Sequence, residues 1–111
     1  MVQEQAERYA QRLAKVDSNT IPIYLAEYYF VTDQPEQAFA MIEKYVAYVS
    51  SDPAAWESAF QLLQNYTQDT PEFRDGTQHI YQMLLDWNEQ NMGAISLKEE
   101  TMAFIEGVLS R

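Results

Sequence analysis

Four prolines divide this chain, and each stands where a helix tolerates proline best. The ring fixes φ and removes the backbone N–H, which costs about 3 kcal/mol inside a helix but little in its first turn. Thr20-Ile21 precedes Pro22, Asp33-Gln34 precedes Pro35, Asp52 precedes Pro53, and Thr70 precedes Pro71. Thr and Asp are favoured N-caps, so each of these sites reads as the start of a helix. Asp33 and Glu36 also have the spacing of a capping box. A fifth start lacks proline but has the same spacing in Ser96-Leu97-Lys98-Glu99, with Gly93 just before it as a helix C-cap would stand.

These marks predict six helices, over 2–16, 21–31, 34–50, 53–67, 71–92 and 97–110. The connections between them are short, which favours antiparallel neighbours. Apolar residues recur at helical spacing. The third segment uses Ala38, Ile42, Tyr45 and Val49, and the fourth uses Trp56, Ala59, Phe60, Leu63 and Tyr66. The fifth uses Phe73, Ile80, Met83, Leu84 and Trp87, and the last uses Leu97, Thr101, Phe104, Ile105 and Val108. The segment 21–31 is apolar nearly all round, as expected of a helix placed between neighbours. No alternation by twos is sustained, so the expected class is all-α. Gly76 is the ambiguous point. Either the fifth helix runs through it because a neighbour packs close, or a short turn over 71–75 precedes a helix from Thr77; the continuous helix is preferred.

The charge balance narrows the partners. Seven basic residues against 17 acidic ones give a net charge of −10. Nucleic acid requires a basic footprint, and an anionic membrane surface repels such a chain. The acids are spread, 8 in residues 1–55 and 9 in residues 56–111, as on a solvated surface that keeps a domain soluble. There is no cysteine, which excludes disulfides, thiolate metal sites and thiol catalysis. No apolar run reaches the length of a membrane span, and MVQEQAERYA has no apolar signal region. Neither a cytoplasmic nor an extracytoplasmic setting is selected by these features.

The chain also repeats. Ala6-Glu7-Arg8-Tyr9-Ala10-Gln11-Arg12-Leu13 compares with Ala38-Phe39-Ala40-Met41-Ile42-Glu43-Lys44-Tyr45 at an offset of 32 residues. The stretch 21–53, IPIYLAEYYFVTDQPEQAFAMIEKYVAYVSSDP, resembles one tetratricopeptide repeat. Leu25 and Ala26 match the family's Leu-Gly pair, Tyr29 its first-helix aromatic, and Asp33-Gln34 its inter-helix turn. Ala38 and Ile42 match the small and large apolar residues of its second helix, and Pro53 its closing proline. Tyr45 departs from the family's usual alanine, and the second helix is about three residues longer than the repeat's. In the next unit Trp56 fits the early tryptophan, while Gly76, Ile80 and Met83 follow the pattern loosely.

The resemblance implies one helical-repeat domain over 1–111. It would comprise a half repeat over 2–19, a full repeat over 21–53, a degenerate repeat over 54–92 and a terminal helix over 97–110. The implied architecture is a right-handed α-α superhelix, and an unrelated six-helix bundle is the alternative. Residues 2–16 read as the second helix of a unit whose first helix is missing, so further repeats or a tether are expected before residue 1.

No constellation in the sequence points to catalysis, and no cofactor or metal is expected. His79 is the only histidine and has no Cys or second His to share a metal. Glu99 and Glu100 are adjacent and point about 100° apart on a helix. Gly76, Gly93 and Gly107 are isolated, so there is no glycine-rich phosphate loop. Asn65-Tyr66-Thr67 fits a glycosylation sequon, which matters only in a eukaryotic secretory pathway.

The aromatics are the remaining signal, and packing between helices accounts for most of them. In the tetratricopeptide family the first helices of successive units line a concave groove. Carried onto this chain, that resemblance implies a face of Thr20, Ile23, Glu27, Phe30 and Val31, joined by Glu57, Gln61, Gln64 and Asn65. A face mixing aromatic, amide and acidic groups suits an extended peptide with some basic character. The expected function is therefore a non-catalytic scaffold that binds a protein or peptide, or docks another domain of the same chain. The alternative is an accessory domain of a larger bacterial membrane protein or enzyme, of which soluble tails of polysaccharide polymerases are an example.

Overall fold

The computed structural model describes residues 21–111. The helix expected over 2–16, the half repeat over 2–19 and Thr20 lie outside the described residues. Among those described there are five α-helices and no strand: α1 Ile21–Val31, α2 Pro35–Tyr48, α3 Pro53–Asn65, α4 Pro71–Gln90 and α5 Glu99–Leu109. The chain divides into two compact units, the first ending at Tyr48 and the second beginning at Val49. That boundary falls before the closing proline of the stretch 21–53.

In the first unit, α1 and α2 pack as a hairpin. Its corner is closed by backbone bonds. Asp33 N–H donates to the Phe30 carbonyl at 3.2 Å, and Gln34 N–H donates to the Tyr29 carbonyl at 2.7 Å. This pair of bonds, with Asp33 at φ 60°, is a Schellman-type helix end. The expected capping box is thereby corrected. Asp33 terminates α1 in the left-handed region instead of opening α2, which begins at Pro35 with Glu36 in its first turn. The Thr32 hydroxyl donates to the Tyr28 carbonyl at 3.0 Å, and Gln34 Nε2 donates to Thr32 Oγ1 at 2.8 Å.

Small and aromatic residues share the interior of this hairpin. Ala26 and Ala38 are fully buried, which allows helix backbones to come close, and Phe39, Ile42, Tyr45 and Val46 are buried beside them. The Phe30 and Phe39 rings meet edge to face, with centroids 5.6 Å apart at 82°. Such a pair adds about 0.5–1.5 kcal/mol beyond its burial. No residue from 22 to 30 is exposed, as expected of a helix with apolar groups all round its axis.

The second unit holds α3, α4 and α5, and α5 packs against both of the others. The proline sites at α3 and α4 start helices as the sequence predicts. Asp52 Oδ1 accepts from Ala54 N–H at 3.0 Å, and Thr70 Oγ1 accepts from Phe73 N–H at 3.1 Å. Trp56, at 1% exposure, donates from its indole Nε1 to the Ser50 carbonyl at 2.8 Å and so ties the chain before α3 to that helix. Ala59, Phe60, Leu63, Phe73, Ile80, Leu84, Ile105 and Val108 are buried in register with the predicted apolar faces. Thr77 is also fully buried, and among the described residues its hydroxyl has no hydrogen-bond partner. α4 runs unbroken through Gly76.

The start of α5 departs from expectation. The sequence places it at 97 with Ser96 as cap, but the helix begins at Glu99 and Lys98 makes no side-chain cap bond. The cap is supplied from α3. Glu57 Oε1 accepts from Lys98 N–H at 2.6 Å, and Glu57 Oε2 accepts from the Thr101 hydroxyl at 2.6 Å. A carboxylate satisfies orphan donors at a helix N-terminus and meets the positive end of the helix dipole.

Candidate functional site

α4 does not turn directly into α5. Met92 and Gly93 adopt φ 60° and 69°, and Gly93 N–H donates to the Asn88 carbonyl at 2.8 Å, which ends the helix. The glycine at that position was expected; a second left-handed residue at Met92, 98% exposed, was not. Left-handed backbone costs a residue with a Cβ roughly 1–2 kcal/mol. The chain then runs back along α4 over 94–98. The Asn88 side chain holds it there with two bonds: Nδ2 donates to the Ile95 carbonyl at 2.9 Å, and Oδ1 accepts from Ile95 N–H at 3.0 Å. Ile95 itself is buried.

This return leaves a groove of about 300 Å³ between α4, the connection and α5. Tyr81, Leu84, Leu85 and Asn88 line it from α4, Ile95, Ser96 and Leu97 from the connection, and Met102 from α5. Leu85 is 41% exposed. Sequence reasoning missed this site because it read 93–98 only as a cap followed by a helix start. The available signal was the apolar Ile95 between the expected helices, followed closely by Leu97 at the expected start of the last one.

The face implied by the repeat resemblance divides between the two units. In the first, Ile23 and Glu27 are half-buried, Val31 is 65% exposed and Phe30 is buried against Phe39. The Phe30 ring thus belongs to the hairpin interior. In the second, Gln61 and Asn65 are exposed on α3 and joined by a 3.1 Å bond from Gln61 Nε2 to Asn65 Oδ1, while Gln64 is half-buried. Glu57 is engaged in capping α5, so its carboxylate serves the fold. Among the described residues of the expected face, Gln61, Asn65 and Val31 are the members that stand well exposed.

His79, Glu99 and Glu100 are exposed. Among the described residues no three His, Cys, Asp or Glu side chains are grouped so as to hold a metal ion. No described helix is long and apolar enough to cross a membrane. Neither protein-family models, nor curated proteins, nor solved structures provide a match to this chain.

Proposed function

We propose that this chain is a non-catalytic helical-repeat module that holds a protein or peptide partner. The observation that carries the reading is the groove beside Leu85. Its volume of about 300 Å³ lies at the lower end of the range for binding sites, about 300–1,000 Å³. Its lining combines leucines, a methionine and a tyrosine with the amide of Asn88. A depression that combines apolar side chains with polar groups, on helices whose connection is pinned by side-chain bonds, is a preorganised surface for a side chain from elsewhere. The complete burial of Ala26 and Ala38 supports a tetratricopeptide-like unit over 21–53, and the exposed amides Gln61 and Asn65 extend the surface available to a partner.

The test is selection from a random peptide library on the immobilised full chain, followed by calorimetry with the enriched peptides. Saturable binding at micromolar affinity is the expected result. A library with no enrichment over bare support would remove the interaction reading.

A further inference from the structure

We infer that the groove between α4 and α5 takes the apolar anchor of a basic amphipathic segment of another protein. The inference rests on the interaction reading above and adds the site and the chemistry of the occupant.

The groove mixes apolar side chains with polar groups, and the surface around it is acidic. On α4, Glu89 stands four residues beyond Leu85, so helical spacing places it on the same side. On α5, Glu99 and Glu106 flank Met102 at three residues before and four after. All three carboxylates are exposed. Near them the sequence offers one base, Lys98. The second unit's two arginines are bound elsewhere: Arg111 Nη1 donates to the Gln68 carbonyl at 2.8 Å, and Arg74 Nη1 donates to the Arg111 carbonyl at 3.3 Å.

The last turn of α4, which carries Glu89, contains no basic residue. Carboxylates at a helix C-terminus are unfavourable there unless a cation compensates them. A leucine or phenylalanine entering beside Leu85, with lysines or arginines on either side, would meet the apolar side chains of the groove and the carboxylates of Glu89, Glu99 and Glu106. Charge complementarity of this kind steers association and discriminates against acidic partners. An acidic segment, a nucleic acid or an anionic lipid surface would be repelled by the same groups.

The experiment uses the full chain and two synthetic peptides. One carries a pair of leucines four residues apart among lysines; the other has glutamate for every lysine. Binding is read by fluorescence anisotropy at low and at high salt. The lysine peptide is expected to bind at micromolar affinity and to weaken as salt rises, while the glutamate peptide does not bind. Leu85→Ser should reduce affinity on the order of ten-fold, and Glu89→Lys should reduce it severalfold and flatten the salt dependence. Leu85 and Glu89 are surface residues, so both variants should stay folded, with melting temperatures within a few degrees of the parent's.

Equal binding of both peptides, no binding of the lysine peptide, or binding untouched by Leu85→Ser would each overturn the inference. So would a concentration-dependent dimer of the free chain that Leu85→Ser abolishes, since a second copy would then be the occupant. If peptides from the random library bind the chain while Leu85→Ser leaves them unaffected, the groove assignment falls and the interaction reading stands.

Discussion

The corner between α1 and α2 and the corner between α4 and α5 join helices by opposite means. The first uses three residues, Thr32 to Gln34, and closes almost entirely on its own backbone. Its side-chain bonds, from Thr32 and Gln34, reach no further than the last turn of α1. The second uses eight residues, 91–98, and the side-chain bonds to its backbone come from residues outside the connection. Asn88 reaches from α4 to both backbone groups of Ile95, and Glu57 reaches from α3 to the start of α5. A short corner can be specified locally, whereas a long one needs partners remote in sequence, and the space those partners hold open is the groove.

Single substitutions can break that contrast. Asn88→Ala should have the largest effect, about 2–3 kcal/mol, because it strands both the N–H and the carbonyl of the buried Ile95. The loss should appear as a lower urea midpoint together with faster amide exchange over 94–98. Thr32→Ala at the first corner should cost only about 0.5 kcal/mol, because the backbone bonds there remain. A cost at Thr32 equal to that at Asn88 would erase the distinction between the corners.

Glu57→Ala comes next, at about 1–2 kcal/mol, since Lys98 N–H loses its acceptor and the Thr101 hydroxyl loses its partner. Fraying of α5 by hydrogen exchange, with α3 unchanged, would locate the effect. Glu57→Gln should recover part of it, because the amide oxygen still accepts one bond.

The smallest effect sharpens what the corners share, a left-handed residue other than glycine. Met92→Gly should stabilise by about 0.5 kcal/mol: relief of the strained φ exceeds the entropy that glycine loses. Asp33→Gly should be close to neutral, because aspartate tolerates this region better than methionine does. Thermal melts of the two variants side by side measure the difference.

The same division explains what the sequence revealed. Proline and capping chemistry is local, so the starts of α3 and α4 fall at Pro53 and Pro71 as predicted. Apolar spacing likewise located Trp56, Phe60, Leu63, Phe73, Ile80, Ile105 and Val108 in the interior. At Asp33 the sequence allowed two uses of one residue, a cap for α2 or a terminator for α1, and the backbone bonds to Phe30 and Tyr29 select the second. At Ser96 the local capping box gave way to Glu57, a residue 41 positions away from Lys98 that no local pattern links to it. Thr77 was hidden for a different reason: its hydroxyl reads as polar, and its burial depends on the faces of neighbouring helices.

The candidate site was less legible than the fold. Carrying the repeat's concave face onto the chain placed Phe30 at a surface, but the ring contacts Phe39, and a single sequence does not show which of several aromatics on α1 turns inward. The same transfer assigned Glu57 to ligand binding, whereas two donors of α5 hold its carboxylate. The groove beside Leu85 depends on a chain reversal over 94–98, which only the bonds to Asn88 define.

The bond from Trp56 to Ser50 has an optical consequence. The chain contains two tryptophans, Trp56 and Trp87, and both lie in the second unit, while Tyr24, Tyr28, Tyr29, Tyr45 and Tyr48 lie in the first. Trp56 is sealed from water and Trp87 is only half-buried. Indole emission therefore records the second unit alone, shifting to the red when Trp56 is released, and tyrosine absorbance is weighted toward the first. Two colours of light thus follow the two halves of one unlabelled molecule, and coincidence or separation of the two signals during unfolding tells whether the halves melt as one.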